Sequence, residues 1–427
     1  MVFDQSLVLE FFKKLEENLQ EINIIERELQ TNPIKDKVIS IIGPRRAGKT
    51  YYLLDKKIKH DAIYIDFESI EFKRVDATEV LKIIKLYENY FEKKLDLVLL
   101  DEVPVIQDWE AVVRSLLNLG YKVYISGSSS KLLSKEIATA LRGRSLSYLL
   151  LPFSFREFLK AREFKFKKTY SYSDTITIKN FLNEYMCIGG FPEIVLKNEK
   201  EKILKEYLDL AFFKDFLERH EIKNIRTAET IFEYVLQNYS KEISISKIQR
   251  FLENTLGIKT RVTIYDYLDK LNDTMFFFLL ERYNPSIYKR KSFPRKVYLC
   301  DPSIGKFFQK SENLGPLMEN IVFLELLRKT NERPLMEIYY YKDNSYEIDF
   351  LIKKGPEVKE LIQVSYAFDW DEIAPREYES LVKASELFKG AKLTIITWDY
   401  EDQKRLSWFG KEAKIEFKPL WKWLLKV

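Results

Sequence analysis

The chain predicts an α/β fold: a parallel sheet with helices on both faces, a helical middle, and a second mixed α and β region. Two observations carry this. Between residues 38 and 160, short apolar runs rich in β-formers alternate with helical stretches: VISIIG (38–43), AIYIDF (62–67), LDLVLLDE (95–102), KVYISGS (122–128) and SYLLLPF (147–153). Strands that are apolar throughout are covered on both faces, which is the mark of a parallel sheet. The pattern then turns helical from about 154 to 225, and strand signals return from 296 to 427. At 427 residues the chain exceeds one compact core, and about two to four domains are expected.

In chain order, residues 5–30 read as one amphipathic helix, with Leu7, Phe11, Leu15 and Leu19 on one face. The divisions expected are 1–34 (N-terminal helix), 35–160 (parallel-sheet core), 161–227 (helical), 228–294 and 295–427. CIGGFPE (187–193) interrupts the helical part as a Gly-Pro turn. Residues 228–283 hold three short helices and then MFFFLLERY, a strand. PLWKWLLKV at the end places Trp421, Leu424 and Leu425 at helical spacing, as a core plug. No internal repeat or low-complexity segment is present.

Composition excludes several classes. With 46% hydrophobic and 32% charged residues the chain is globular rather than disordered. Its longest apolar runs, such as MFFFLL (275–280), are too short to span a bilayer, and MVFDQSLVLEFFKKLEENL reads as a helix rather than a signal peptide. Cys187 and Cys300, with His60 and His220, have no zinc-like spacing and suit a reduced, cytoplasmic protein. A net charge of +5 leaves any nucleic-acid surface to a local patch.

The chemistry begins at Gly43-Pro44-Arg45-Arg46-Ala47-Gly48-Lys49-Thr50, followed by Tyr51. This is G-x-x-x-x-G-K-[ST] between an apolar strand and a helical run, the context a P-loop requires. Its glycines let backbone N–H groups curl around phosphates, Lys49 reaches the β and γ oxygens, and the Thr50 hydroxyl ligates Mg²⁺. Leu97-Val98-Leu99-Leu100-Asp101-Glu102 supplies the second motif. Two carboxylates leave the C-terminal end of a buried strand, where open α/β sheets bind ligands. Asp101 would hold Mg²⁺ through water, and Glu102 would orient and polarise the attacking water. Ser126-Gly127-Ser128-Ser129 ends the next strand, and Ser128 is a candidate sensor of the γ-phosphate; the alternative is a plain turn. Arg142 and Arg144 are candidate arginine fingers, in cis or from a neighbouring subunit; the alternative is that both are surface charges.

These residues carry a resemblance. GPRRAGKT, LLDEV, SGSSS, LRGRS and LPFSFREF are similar to the archaeal and bacterial AAA-type ATPases that carry a restriction-endonuclease-like C-terminal domain. CIGGFPE, KVYLCDP, GPLMENIVFLEL, EIDF, LIQVSYAF and PLWKWLL extend it along nearly the whole chain, in the archaeal branch. The resemblance implies a P-loop AAA-type core at 35–160, a helical lid at 161–227, and ATP as nucleotide. It also implies that Gly190, Phe191 and Pro192 pack on the adenine.

Residues 228–294 read as a winged helix-turn-helix. Ser246-Lys247-Ile248-Gln249 forms a capping box, Gly257 stops the helix, and Thr263-Ile264-Tyr265-Asp266 forms a second box. The exposed side of the second helix would present Arg261, Thr263, Tyr265 and Lys270 to DNA. ERYNPSIYKRKSFPRK (281–296) adds a basic, aromatic stretch whose Lys289, Arg290 and Lys291 are the leading nucleic-acid contacts.

The last segment, 295–427, runs α-β-β-β-α-β, as in restriction-endonuclease-like folds. Glu319 on the helix and Asp349 on a strand fall at metal-ligand positions of such nucleases. The Glu-x-Lys position reads Gln363-Val364-Ser365. Gln363 can offer a carbonyl oxygen to a metal, but serine cannot replace an ammonium, so binding is expected rather than cleavage.

The reading is a cytoplasmic Mg²⁺- and ATP-dependent ATPase whose nucleotide state governs a contact made by the C-terminal modules. The partner expected is DNA or a protein, with no membrane; homo-oligomerisation is compatible with it. An ATP-gated nuclease and a slowly hydrolysing signalling or assembly switch are the alternatives.

Overall fold

The structure is a computed structural model that describes residues 3–73, 75–127, 137, 139–197, 199–258, 261–308 and 313–427. The chain forms two compact units, Met1–Pro152 and Phe153–Val427.

In the first unit, α1 (Gln5–Glu21) starts at Asp4, whose carboxylate accepts the N–H groups of Ser6 and Leu7. It stops at Glu21, short of the expected residue 30, and Ile22 is already extended. The β-branched run Ile22, Ile24 and Ile25, broken by Asn23, explains the stop. The segment that follows packs Ile24 and Leu29 on the core.

Then come β1 (Val38–Ile42), α2 (Lys49–Lys59), β2 (Ala62–Asp66), α3 (Val80–Phe91), β3 (Leu97–Asp101), α4 (Trp109–Asn118), β4 (Lys122–Ser126) and β5 (Ser145–Leu149). The sheet order is β2-β3-β4-β1-β5, and each pairing is parallel. β1 and β3 are buried along their whole length, as apolar-throughout strands demand. Because β4 lies between β3 and β1, their C-terminal ends emerge side by side.

The second unit opens with α5 (Phe155–Ala161), α6 (Tyr172–Ile188), α7 (Pro192–Leu196) and α8 (Lys200–Leu210), which runs into a π-helical stretch, Ala211–Glu218. Phe155 and Phe158 of α5 pack on Tyr185 of α6.

There follow α9 (Ile225–Gln237), β6 (Glu242–Ile243), α10 (Ile245–Leu256), α11 (Val262–Asp273), β7 (Phe277–Leu280), α12 (Ile287–Ser292) and β8 (Arg295–Leu299). β6, β8 and β7 form a three-stranded sheet. The division expected at 294/295 therefore separates β8 from its own sheet. Helix starts also differ: α10 is capped by Ser244 rather than Ser246, and α11 begins at Val262 with no side-chain cap, so Thr263 is not one. Gly257 stops α10 in a left-handed conformation, as expected.

The rest comprises α13 (Pro302–Phe308), α14 (Gly315–Glu332), β9 (Met336–Lys342), β10 (Glu347–Lys354), β11 (Glu357–Ser365), α15 (Pro375–Leu387), β12 (Lys392–Thr397), β13 (Asp402–Trp408), β14 (Lys411–Pro419) and α16 (Leu420–Leu425). A mixed six-stranded sheet runs β13-β14-β12-β11-β10-β9. α14 is buried on nearly every side from Leu317 to Leu326, as its all-round apolar sequence requires. Trp421, Leu424 and Leu425 of α16 are buried. Among the described residues no helix is long and apolar enough to cross a membrane.

Candidate phosphate site and acidic hub

The loop after β1 owes its path to glycine. Gly43 has φ +153°, and a Cβ there would come within 2.1 Å of the Leu150 carbonyl oxygen. Arg46 and Gly48 also have positive φ, and α2 starts directly at Lys49. The Lys49 ammonium, buried under the loop, donates to the carbonyls of Gly43 (3.0 Å) and Pro44 (2.9 Å). Thr50 and Tyr51 are exposed on the first turn of α2; Pro44 and Ala47 are buried, Arg45 half-buried and Arg46 exposed.

Asp101 lies at the end of β3 with 2% exposure. One carboxylate oxygen accepts the Tyr64 hydroxyl at 2.8 Å, and the other accepts the Ser126 hydroxyl. Burial, with the nearby Asp101 charge, pushes the Tyr64 phenol well up. Asp66, in register with Asp101, is raised from its ordinary value by burial. Glu102 takes a left-handed backbone (φ 49°) as the chain leaves the sheet. The sheet thus brings the 43–50 loop, Asp101, Glu102 and Ser126 to one edge.

Arg27 was not singled out from the sequence. Its buried guanidinium donates to Ala47 O of the loop (2.8 Å) and Leu151 O (2.5 Å). A buried arginine inside an irregular segment leaves no periodic trace. Ser128 lies outside the described residues. Arg144 heads β5 at the opposite edge of the sheet: Val38 N–H donates to its carbonyl, and its guanidinium bonds Asn118 at 3.0 Å. A five-residue strand is about 17 Å long, so the fold does not bring Arg144 to Lys49 of the same chain.

Pro192 belongs to the second unit, at the first position of α7. There the Gly190 N–H donates to buried Asp301 at 2.7 Å, whose carboxyl burial pushes up to about 6. A Cβ on Gly189 would strike Asp301 Oδ1 at 1.7 Å.

The residues that suggested a second metal site meet a lysine. Lys296 of β8 lies with its side chain 3% exposed, its ammonium 3.1 Å from Glu319, 2.8 Å from Glu347 and 2.9 Å from Asp349. Burial opposes its charge, but Asp349 and Glu319 outweigh that and hold it well above the ordinary range. Burial, opposed by Lys296, pushes Glu319 up to about 7. The Gln363 carbonyl faces the Asp349 N–H at 3.4 Å. Among the described residues no group of three or more His, Cys, Asp or Glu side chains is arranged to hold a metal ion. The Lys296 ammonium lies between the two carboxylates, Glu319 and Asp349, that suggested the site.

Several side chains of the basic stretch bond within the chain. Arg290 reaches the Tyr339 hydroxyl at 2.5 Å, Lys291 pairs with Glu281 at 2.6 Å, Arg295 with Asp269 at 3.2 Å, and Arg282 stacks on Phe293. Arg261 bonds Gln249 at 2.7 Å. Lys289 is exposed, as is Tyr265.

Known proteins place this arrangement. Residues 35–159 match a family model described as "AAA domain". Residues 179–313 and 314–409 match two domains of unknown function, DUF8612 and DUF4143. "Uncharacterized protein MJ1544" of Methanocaldococcus jannaschii is 38% identical over 414 residues, 94% of this chain and 91% of that protein. An "Uncharacterized protein" of Haemophilus influenzae is 28% identical over 385 residues, 87% and 91% of the two chains. Among solved structures, the STAND ATPase with a tetratricopeptide repeat sensor, PH0952 from Pyrococcus horikoshii, superposes at TM-score 0.23 with 13% identity, over 72% of this chain and 47% of that one. Cdc6p from Pyrobaculum aerophilum does so at 0.22 with 11% identity, over 67% and 88%. Superpositions this loose carry no common geometry. At 38% identity over nearly its whole length, the chain belongs to the family of MJ1544, and it carries an AAA domain followed by the two domains of unknown function.

Proposed function

We propose that the chain is an Mg²⁺-dependent ATPase of AAA type whose nucleotide state governs a contact made by residues 228–427. The supporting observation is the shared edge: buried Asp101, held by Tyr64 and Ser126, emerges beside the loop that Lys49 closes. The residues fit the group. A glycine-only backbone, a lysine folded over the loop and a preoriented carboxylate make an anion-and-cation site. Gly43–Thr50 would cradle ATP, and Thr50 and Asp101 would hold Mg²⁺. When bound, the ion neutralises charge on the phosphates. Lys49 would exchange its loop carbonyls for phosphate oxygens. Tyr64 and Ser126 fix the Asp101 carboxylate. Glu102, off the sheet edge, accepts the proton of the attacking water.

On the C-terminal side, residues 228–294 are read as a winged helix and 295–427 as a nuclease-like binding module. DNA is one occupant. A protein partner is the second reading. It is favoured because several basic side chains of the 281–296 stretch bond within the chain, whereas Val262, Ile287 and Tyr288 are exposed. The test is Mg²⁺-ATP hydrolysis with single-stranded, double-stranded and no DNA. Stimulation of at least about tenfold is expected for a DNA-acting ATPase. Indifference to both DNAs would remove the DNA reading and leave the protein partner.

A further inference from the structure

Lys296 changes what the carboxylates around it can do. An ammonium has three N–H donors and no more. Glu319 from α14, and Glu347 and Asp349 from β10, take them at 3.1, 2.8 and 2.9 Å. The carboxylates are occupied in turn. The Asp349 oxygen not facing Lys296 accepts the Val364 N–H at 3.0 Å. The second oxygen of Glu347 takes Lys342 at 2.9 Å. Glu319 also accepts the Tyr298 hydroxyl at 2.6 Å. Lys342 goes on to Glu242 of β6 at 2.8 Å. An alternating chain of charge therefore runs Glu242–Lys342–Glu347–Lys296–Glu319/Asp349. It ties both outer and middle strands, β6 and β8, of the three-stranded sheet to α14, β9 and β10.

We infer that the Lys296 ammonium is the resident cation of this acidic hub, so that the C-terminal α/β region is a binding module closed by its own lysine and not a metal-dependent nuclease. A divalent ion at these oxygens would lie within a few ångströms of a buried positive charge and would have to displace it. Lys296, with every donor engaged, has none left for an attacking hydroxide. The Ser365 position, where a Glu-x-Lys lysine would stand, gives no second ammonium. The hub acts instead as an ionic brace that makes the small sheet and the six-stranded sheet move together, which suits a module that relays a state to a partner.

The test uses the full chain, nucleotide-free and carrying Thr50→Ala and Asp101→Asn, which remove the oxygens proposed to hold Mg²⁺ at the phosphate loop. Free Mn²⁺ is followed by electron paramagnetic resonance during titration, and nicking of supercoiled plasmid is assayed in Mn²⁺. With Lys296 present, adding Asp349→Asn is expected to leave Mn²⁺ binding unchanged, and no nicking is expected. Lys296→Met is expected to bind one Mn²⁺ per chain at least about tenfold more tightly, and to lose that gain when Asp349→Asn is added. Mn²⁺ binding or nicking by the Lys296 chain that Asp349→Asn abolishes would overturn the inference. So would a folded Lys296→Met chain with no gain. Should Lys296→Met fail to fold, the Lys296 arm decides alone.

Discussion

Gly43 shows how much one missing side chain decides. Its φ of +153° and a Cβ position 2.1 Å from Leu150 O leave no room for alanine. Gly43→Ala should therefore cost nucleotide affinity at least about 100-fold, on the order of 3 kcal/mol. A fluorescent-ATP titration measures this; parental affinity would mean that the loop does not hold the phosphates. Residues of this kind are legible in the sequence, because 43–50 and 97–102 carry their chemistry in adjacent positions. Arg27, Ser126 and Lys296 work over 20, 25 and 53 positions of separation. Each is an ordinary residue until the fold brings its partner, so the sequence identifies Asp349 as an acid without its counter-ion. Lys296 itself reads in sequence as part of a basic surface stretch, and burial reverses that meaning.

Among the elements, strands and long helices are the most legible, because their apolar periods are local. Their ends are less so. α1 stops nine residues before its expected end at 30, where the β-branched Ile22, Ile24 and Ile25 disfavour helix and Ile24 packs on the core. The π-helical stretch Ala211–Glu218 reads in sequence as a simple continuation of α8, for a change from i+4 to i+5 bonding alters no residue pattern. It presents Phe212 and Phe216 together to Phe232 of α9. His220 follows the stretch, with a buried Nε2 that has no hydrogen-bond partner. Burial depresses its pKa from the ordinary 6.5 to about 4. The unfolded chain then binds the proton more readily, so His220 contributes stability above about pH 6.5 that is lost as pH falls through about 4. Discounted for partial exposure, the loss is on the order of 1 kcal/mol. Urea melts of the parental chain and His220→Gln between pH 4 and 7 should show the parental chain losing more stability on acidification. Parallel profiles would remove His220 as the cause.

For the molecule as a whole, the α/β order is legible in the sequence, because apolar strands and helices alternate locally. The chain divides after Pro152, with α5 packed inside the second unit, because Phe155 and Phe158 find aromatic partners on α6. β8 likewise joins the sheet before it rather than the region after it. Where a short element is held by distant side chains, the local pattern is silent about which neighbours it joins. The same unit carries the hub, so the surfaces assigned to partner contact share one braced body, and the phosphate site lies in the other unit.

That arrangement has a purpose only if the phosphate site turns over ATP. The measurement that tests this most directly compares Mg²⁺-ATP binding and single-turnover hydrolysis in the parental chain, Lys49→Ala and Glu102→Gln. The account predicts that Lys49→Ala loses tight binding. It predicts that Glu102→Gln binds ATP within about threefold of the parental chain but hydrolyses it at least about 100-fold more slowly. Parental turnover by Glu102→Gln would contradict the assignment of the base, and undiminished binding by Lys49→Ala would contradict the phosphate site itself.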